Sequence, residues 1–297
     1  MEDFTPQMPG KEEDWSESLY FNFHDRENDI TAFMRIGLKP NRGHKEAFLF
    51  IMTEDMVCGM RSAIPIGDGD MSVNDLSFRK EGSGWRLSYN GQLGSMTEDG
   101  PIPIEASLDI LWTPLNEEFD YRRCVDERAE KMAAAVAAEH REQYGEAVGA
   151  VSLGSKRLRV RGLGERDHSW GVRDWNAPRE WMWINCHLDR RTSLNLTRLV
   201  VDQGEVVAGF VHRDGESHPI VRARVETRYS SKGGPQSFDL DITDSEGKRH
   251  IIGGSVVRET VLPFEKDGVR SLLFETLAEY DWKGGKGYGI AEYLIRT

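Results

Sequence analysis

Apolar and polar residues alternate, or gather in short apolar runs, over residues 18–24 (SLYFNFH), 31–37, 46–53, 57–63, 85–91 and 104–112. Turn signals such as Asn41-Arg42-Gly43, Gly67-Asp68-Gly69-Asp70 and Asn90-Gly91 separate them. A period of two puts alternate side chains on one sheet face, so these segments predict strands. The pattern changes over 121–147, where Val125, Ala129, Met132, Ala133, Val136, Ala137, His140 and Tyr144 recur at helical spacing. That predicts a single long helix. Strands return at 148–153, 156–162, 181–189, 194–201, 205–212, 219–228, 236–243, 249–257, 270–280 and 287–296. Short strands at such regular spacing predict barrels or sandwiches. The expected fold is therefore all-β dominated: two antiparallel β-barrel or sandwich halves, 1–120 and 148–297, joined by a connecting helix over 121–147.

Composition narrows this picture. With 38% hydrophobic and 30% charged residues, 30 Gly and 11 Pro, the chain suits a folded, turn-rich protein. A formal net charge of -12 argues against a nucleic-acid partner, because phosphate contacts need concentrated Lys and Arg. The basic run Lys156 to Arg161 (KRLRVR) alternates charged with apolar residues and predicts a half-buried strand. No apolar stretch reaches the roughly 18 residues of a membrane span, and the opening MEDFTPQMPGKEEDW lacks a signal-peptide core. The expectation is a cytoplasmic protein without stable membrane insertion, its oligomeric state left open. Cys58, Cys124 and Cys186 are widely spaced and odd in number, which suggests buried or incidental thiols rather than disulfides or a zinc site.

The candidate chemistry gathers in Gly164-Glu165-Arg166-Asp167-His168-Ser169-Trp170-Gly171-Val172-Arg173-Asp174-Trp175, with Trp181 and Trp183 just beyond. A carboxylate from Asp167 or Asp174 against His168 would favour the charged, proton-donating imidazole, whereas burial would oppose it. The plainer alternative is that Arg166, Asp167, Arg173 and Asp174 form ion pairs that pin a loop. Trp170, Trp175, Trp181 and Trp183 could wall a pocket or simply form core. Glu292, in an apolar aromatic strand, must pair or stay protonated if buried, and Tyr20 alternates with Asn22 and His24 in the first strand. Gly162-Leu163-Gly164 is too short for a phosphate loop, and neither a His-x-x-x-His nor a Cys-x-x-Cys pair occurs. No metal or organic cofactor is expected.

At GLGERDHSWGVRDW (Gly162 to Trp175) the chain resembles the carotenoid hydratase (hydroxyneurosporene synthase) and AttH-like family, whose characteristic segment is Asp-His-x-Trp-Gly followed by a Trp-rich strand. Supporting stretches are Glu142-Gln143-Tyr144-Gly145, Trp181-Met182-Trp183, Cys186-His187-Leu188-Asp189 and Gly289-x-x-Glu292-Tyr293. From Trp15-Ser16-Glu17-Ser18 through Pro40-Asn41 the chain is more similar to uncharacterised relatives of that group. The resemblance implies two lipocalin-like (calycin) halves with a ligand cavity near their junction; the boundary read above puts the motif in the C-terminal half, 148–297. The resemblance also implies action on a hydrophobic, unsaturated substrate, since the hydratases hydrate a carotenoid double bond and fungal relatives promote cycloadditions. The His and Trp implicated in the hydratases fall on His168 and Trp170. A further Tyr and Asp implicated there have no counterpart in Ser193-Leu194-Asn195-Leu196-Thr197-Arg198.

The expected function is a cofactor-independent acid/base enzyme, a hydratase-like lyase or an isomerase or cyclase, acting on a terpenoid, steroid or polyketide-like molecule. His168, Asp167 and Asp174 are its candidate catalytic residues. Trp170, Trp175, Trp181, Trp183, Tyr20 and Glu292 are the candidate binding residues. Two other readings stay open: a non-catalytic carrier of a lipophilic metabolite, and a motif that is only an ion-pair latch.

Overall fold

The computed structural model describes residues 4–67, 70–125, 139–172, 178–266 and 268–297. It contains β1 (Trp15–Asp25), β2 (Ile30–Lys39), β3 (His44–Met52), β4 (Val57–Pro65), β5 (Ser72–Val73), β6 (Leu76–Glu81), β7 (Gly84–Ser95), β8 (Ile102–Pro114), β9 (Phe119–Asp120), β10 (Glu139–Leu153) and β11 (Lys156–Val172). Then follow β12 (Glu180–Asp189), β13 (Thr192–Val201), β14 (Gly204–Arg213), β15 (Glu216–Tyr229), β16 (Pro235–Asp244), β17 (Arg249–Lys266), β18 (Val269–Trp282) and β19 (Gly285–Arg296). The chain divides into two compact units, Met1–Leu115 with Gln143–Val172, and Asn116–Glu142 with Arg173–Thr297. The all-β expectation with two halves is met.

In the first unit the strand order is β4-β3-β2-β1-β11-β10-β8-β7-β6-β5, and β4 also pairs with β7 through Cys58–Ser95 and Gly59–Gly94. That extra pairing bends the sheet back on itself around one apolar interior. Leu19, Phe21 and Phe23 alternate along β1 and are fully buried there. Phe21 meets Phe78, Trp85 and Trp112 edge-on at centroid distances of 5.1, 5.8 and 5.5 Å. Burying each such side chain contributes about 1.5–3 kcal/mol, so this aromatic knot is a main anchor of the sheet.

The second unit is a closed barrel in which β12 to β19 pair in sequence and β12 returns to β19. Met182, Ile184 and Cys186 alternate into its interior with Leu194, Leu196, Phe238 and Tyr293. The intervening residues Trp181, Trp183, Asn185 and His187 therefore occupy the outer face of β12.

Two expectations are corrected. The connecting helix over 121–147 is not seen: Tyr121–Arg123 form a single 3-10 turn, and the chain from Glu139 is already strand, while residues 126–138 lie outside the described residues. Positions four apart, such as His140 and Tyr144, satisfy a period of two as well as a helical one, so their spacing could not decide between them. The second correction concerns the Asp-His-x-Trp-Gly motif, expected in the C-terminal half. It lies on β11, inside the first sheet between β1 and β10. Glycines explain why the sequence hid this. Gly162 and Gly164 resemble turn residues, yet β11 runs straight through them because β1 passes against them: a Cβ at Gly162 would stand 2.7 Å from the His24 carbonyl oxygen, and one at Gly164 would overlap that of Asn22. Among the described residues no helix is long and apolar enough to cross a membrane.

Candidate active site

The pairing of β1 with β11 sets Glu17 opposite Trp170, Leu19 opposite His168 and Tyr20 opposite Asp167. Because opposed residues share a face and faces alternate along a strand, His168 and Trp170 lie on the same side as Glu17, Leu19 and Phe21. Asp167 lies on the other. Glu17 is wholly buried, and its Oε1 sits 2.8 Å from His168 Nε2. Its second oxygen accepts the Gln7 backbone N–H at 2.7 Å, so both carboxylate oxygens are engaged. Among the described residues the other imidazole nitrogen, Nδ1, makes no hydrogen bond.

Aromatic rings frame this dyad. The Trp170 ring lies 4.7 Å from the imidazole, and Phe4, from the segment before β1, lies 5.6 Å from it and 5.6 Å from Trp85. His168 is 7% exposed and Trp170 half-buried. The arrangement can exchange a proton through a ring held in place by a carboxylate, beside π faces that attract positive charge by about 0.5–2 kcal/mol each.

Asp167 and Tyr20, opposite one another on the reverse face, do not meet the imidazole through this pairing. There Ser18 and Ser169 hydrogen-bond at 3.2 Å, and Tyr20 packs edge-on against Phe48. Asp174 and Trp175 lie outside the described residues. Trp181, Trp183 and Glu292 belong to the second unit, where Trp183 and Glu292 are opposed across β12 and β19. Glu292 is half-buried and also faces the fully buried Glu275 across β18. Trp183 Nε1 donates to the buried Glu142 at 2.9 Å, and the same oxygen receives the Tyr121 hydroxyl at 3.3 Å and lies 3.1 Å from His140 Nε2. Trp183 is thus tied to a polar cluster of its own unit. On the same face, burial pushes the His187 pKa down to about 3, which keeps that imidazole neutral.

Sequence reasoning missed Glu17. The available signal was its place in Trp15-Ser16-Glu17-Ser18-Leu19-Tyr20-Phe21: a carboxylate on the apolar face of an alternating strand must find a partner when that face is buried.

The family described as "Domain of unknown function (DUF7064)" matches residues 1–297. Among the curated proteins no sequence matches the chain. Solved structures do. A candidate AttH protein from Nitrosomonas europaea superposes with a TM-score of 0.66 at 12% identity, over 98% of this chain and 99% of that one. CghA, solved with Sch210972, gives 0.63 at 12% identity, covering 95% and 88%. Kievitone hydratase from Nectria haematococca gives 0.61 at 10%, covering 95% and 89%. At these identities the likeness is one of fold, and it extends over nearly the whole chain.

Proposed function

The chain belongs to the DUF7064 family, and we propose that it is an acid/base enzyme acting on a lipophilic, unsaturated small molecule by hydration, isomerisation or cyclisation. One observation carries the reading: the 2.8 Å contact of a fully buried Glu17 with His168, beside the Trp170 ring. A buried carboxylate that serves only packing is costly. One that orients an imidazole among aromatic rings gives that ring a fixed tautomer and aim. Resemblance of the motif to the hydratases, and the fold shared with kievitone hydratase and CghA, support the same class of chemistry.

In this reading His168 delivers a proton through Nδ1 to a substrate alkene or oxygen, while Glu17 holds Nε2 and offsets the charge of the imidazolium state. The developing cation lies against Trp170, with Phe4 also packed beside the imidazole. Water attack, proton loss or attack by an internal alkene then completes the reaction, and His168 recovers its proton in the last step. Asp167 and Asp174 are not needed for this sequence. The chemistry uses side chains alone, and the terpenoid, steroid or polyketide identity of the substrate is part of the proposal.

The test is mass spectrometry of small molecules that co-purify with the wild-type protein and with His168→Ala. Unconverted ligand retained by the variant, and turned over when wild-type protein is added, is the expected result. The same unmodified ligand on both proteins makes this a carrier instead.

A further inference from the structure

Residues 4–14 form a strap over the Glu17–His168 dyad and belong to no strand. One end of the strap is tied down. Asn41 Nδ2, in the turn that follows β2, donates to the carbonyl oxygens of Gly10 and Glu12 at 2.8 and 2.7 Å, and Arg42 in the same turn pairs with Asp14 at 2.6 Å. The other end touches the dyad at two points: the Gln7 backbone N–H on Glu17 Oε2 at 2.7 Å, and the Phe4 ring, whose centroid lies 5.6 Å from those of both His168 and Trp85. Thr5, Gln7, Met8 and Pro9 are exposed. Pro6 and Pro9 lack a backbone donor, which keeps this stretch out of the neighbouring sheet.

The imidazole is 7% exposed, so a substrate reaches it only when one of its covering groups moves aside. Those groups differ in how they are held. Glu17 and Leu19 on β1, Trp170 on β11 and Trp85 on β7 stand on strands whose backbones are paired on both sides. Phe4 is held by its ring, with one hydrogen bond three residues away, and lifting it breaks no ladder. It is therefore the cover that leaves most readily. The space it vacates is well defined. Trp85, on which the Phe4 ring packs, itself packs on Phe21 at 5.8 Å in the interior of the first sheet, so the slot is one ring in size, has a fixed aromatic floor and opens on the imidazole.

We infer that Phe4 is a plug standing in the substrate's own place: the strap lifts at Phe4 and Gln7 while Asn41 and Arg42 keep it anchored, and a flat unsaturated ring of the substrate takes the slot beside His168 and Trp85. The inference rests on the reading of His168 as proton donor. It adds to that reading the size of the group presented to the imidazole, a single six-membered ring rather than an extended polyene, and an order of events in which binding opens the site.

Toluene, a single flat ring of the kind that apolar protein cavities take up, is the probe, used with the full chain. As toluene saturates the wild-type protein, the Gln7 amide should exchange with deuterium about tenfold faster, because the strap that protects it has lifted, and the ring proton signals of His168 should shift in the same titration. Phe4→Ala removes the competing side chain. By calorimetry this variant should bind toluene about tenfold tighter than wild type, since the open state no longer has to be populated against the plug. Toluene that shifts the His168 signals while Gln7 stays protected makes Phe4 a wall of the pocket and overturns the inference. So does a Phe4→Ala protein that binds toluene no tighter, or a lack of binding by either protein. The exchange measurement needs no variant, so a folding defect in Phe4→Ala leaves the test intact. If the plug behaves as described but His168→Ala still turns over the co-purified ligand, the slot stands and the acid/base reading falls.

Discussion

Glu17 and His168 stand 151 positions apart in the chain and 2.8 Å apart in space, joined by the register of β1 against β11. That register makes the carboxylate a fixed part of the imidazole's surroundings. In the proposed reaction Glu17 acts through the ring rather than on the substrate. Glu17→Gln should therefore lower kcat by about tenfold to a hundredfold while leaving KM unchanged, and His168→Ala should lower it by about a hundredfold or more. Steady-state kinetics on the captured ligand, with near-ultraviolet circular dichroism to verify folding, checks both. A purely structural Glu17 would instead lower the melting temperature and leave kcat in place.

Gly164→Ala places a methyl group against the Asn22 carbonyl, backbone that has no rotamer to change. Overpacking of this kind costs about 1–3 kcal/mol. The midpoint of urea unfolding should fall accordingly, and an unchanged midpoint would mean that β1 and β11 do not approach so closely.

Asp244 is wholly buried and accepts from Arg213 Nη2 at 3.1 Å and from the backbone N–H groups of Glu246 and Lys248 at 3.0 Å each, with His250 Nε2 at 3.0 Å. Burial alone would raise its pKa. The hydrogen bonds from His250, Lys248, Arg213 and Glu246 outweigh it and hold the carboxyl down at about 2, below its ordinary 3.8. A carboxyl depressed on folding stabilises the native state above its unfolded pKa. This contribution is therefore full above about pH 4 and disappears as pH falls through about 2. Asp244→Asn should lower stability by roughly 3 kcal/mol at pH 7, and the difference from wild type should narrow in thermal melts recorded toward pH 2.

Burial raises the thiol pKa of Cys58 to about 12, that of Cys124 to about 11, and that of Cys186 further still. Thiolate is the reactive species. Iodoacetamide at pH 8 should leave all three unmodified in the native protein and label all three after denaturation, as read by intact mass. Rapid labelling of Cys124 in the native state would show that its segment opens.

Most strands were legible because a half-buried strand writes its environment at every second residue, as in Phe238, Leu240 and Ile242. The acid/base candidate was legible for a different reason, since His168 and Trp170 share a motif and a strand face. Its partner was not. Adjacency in sequence favoured Asp167, which the pleat turns to the opposite face, whereas Glu17 is brought in by a register that no local pattern encodes. Similarly, the spacing of His140 and Tyr144 fits helix and strand alike, and only pairing with neighbouring strands settles which forms. Gly162 and Gly164 carried information of another kind: a glycine can mean a bend, or a second backbone passing where a side chain would be.

The placement of β11 beside β1 also has a consequence for biosynthesis. β2 can zip onto β1 as soon as both have left the ribosome, but the other edge of β1 waits for a strand that lies at the far end of the unit. At translation rates of about 5–20 residues per second, the 151 positions between Glu17 and His168 take on the order of ten seconds to synthesise. Throughout that interval a long strand with an apolar face has unpaired edge groups, the condition under which nascent chains associate with one another. The protein should thus be most vulnerable to aggregation while it is being made, and its yield in cells should respond to chaperone supply more than its equilibrium stability would suggest.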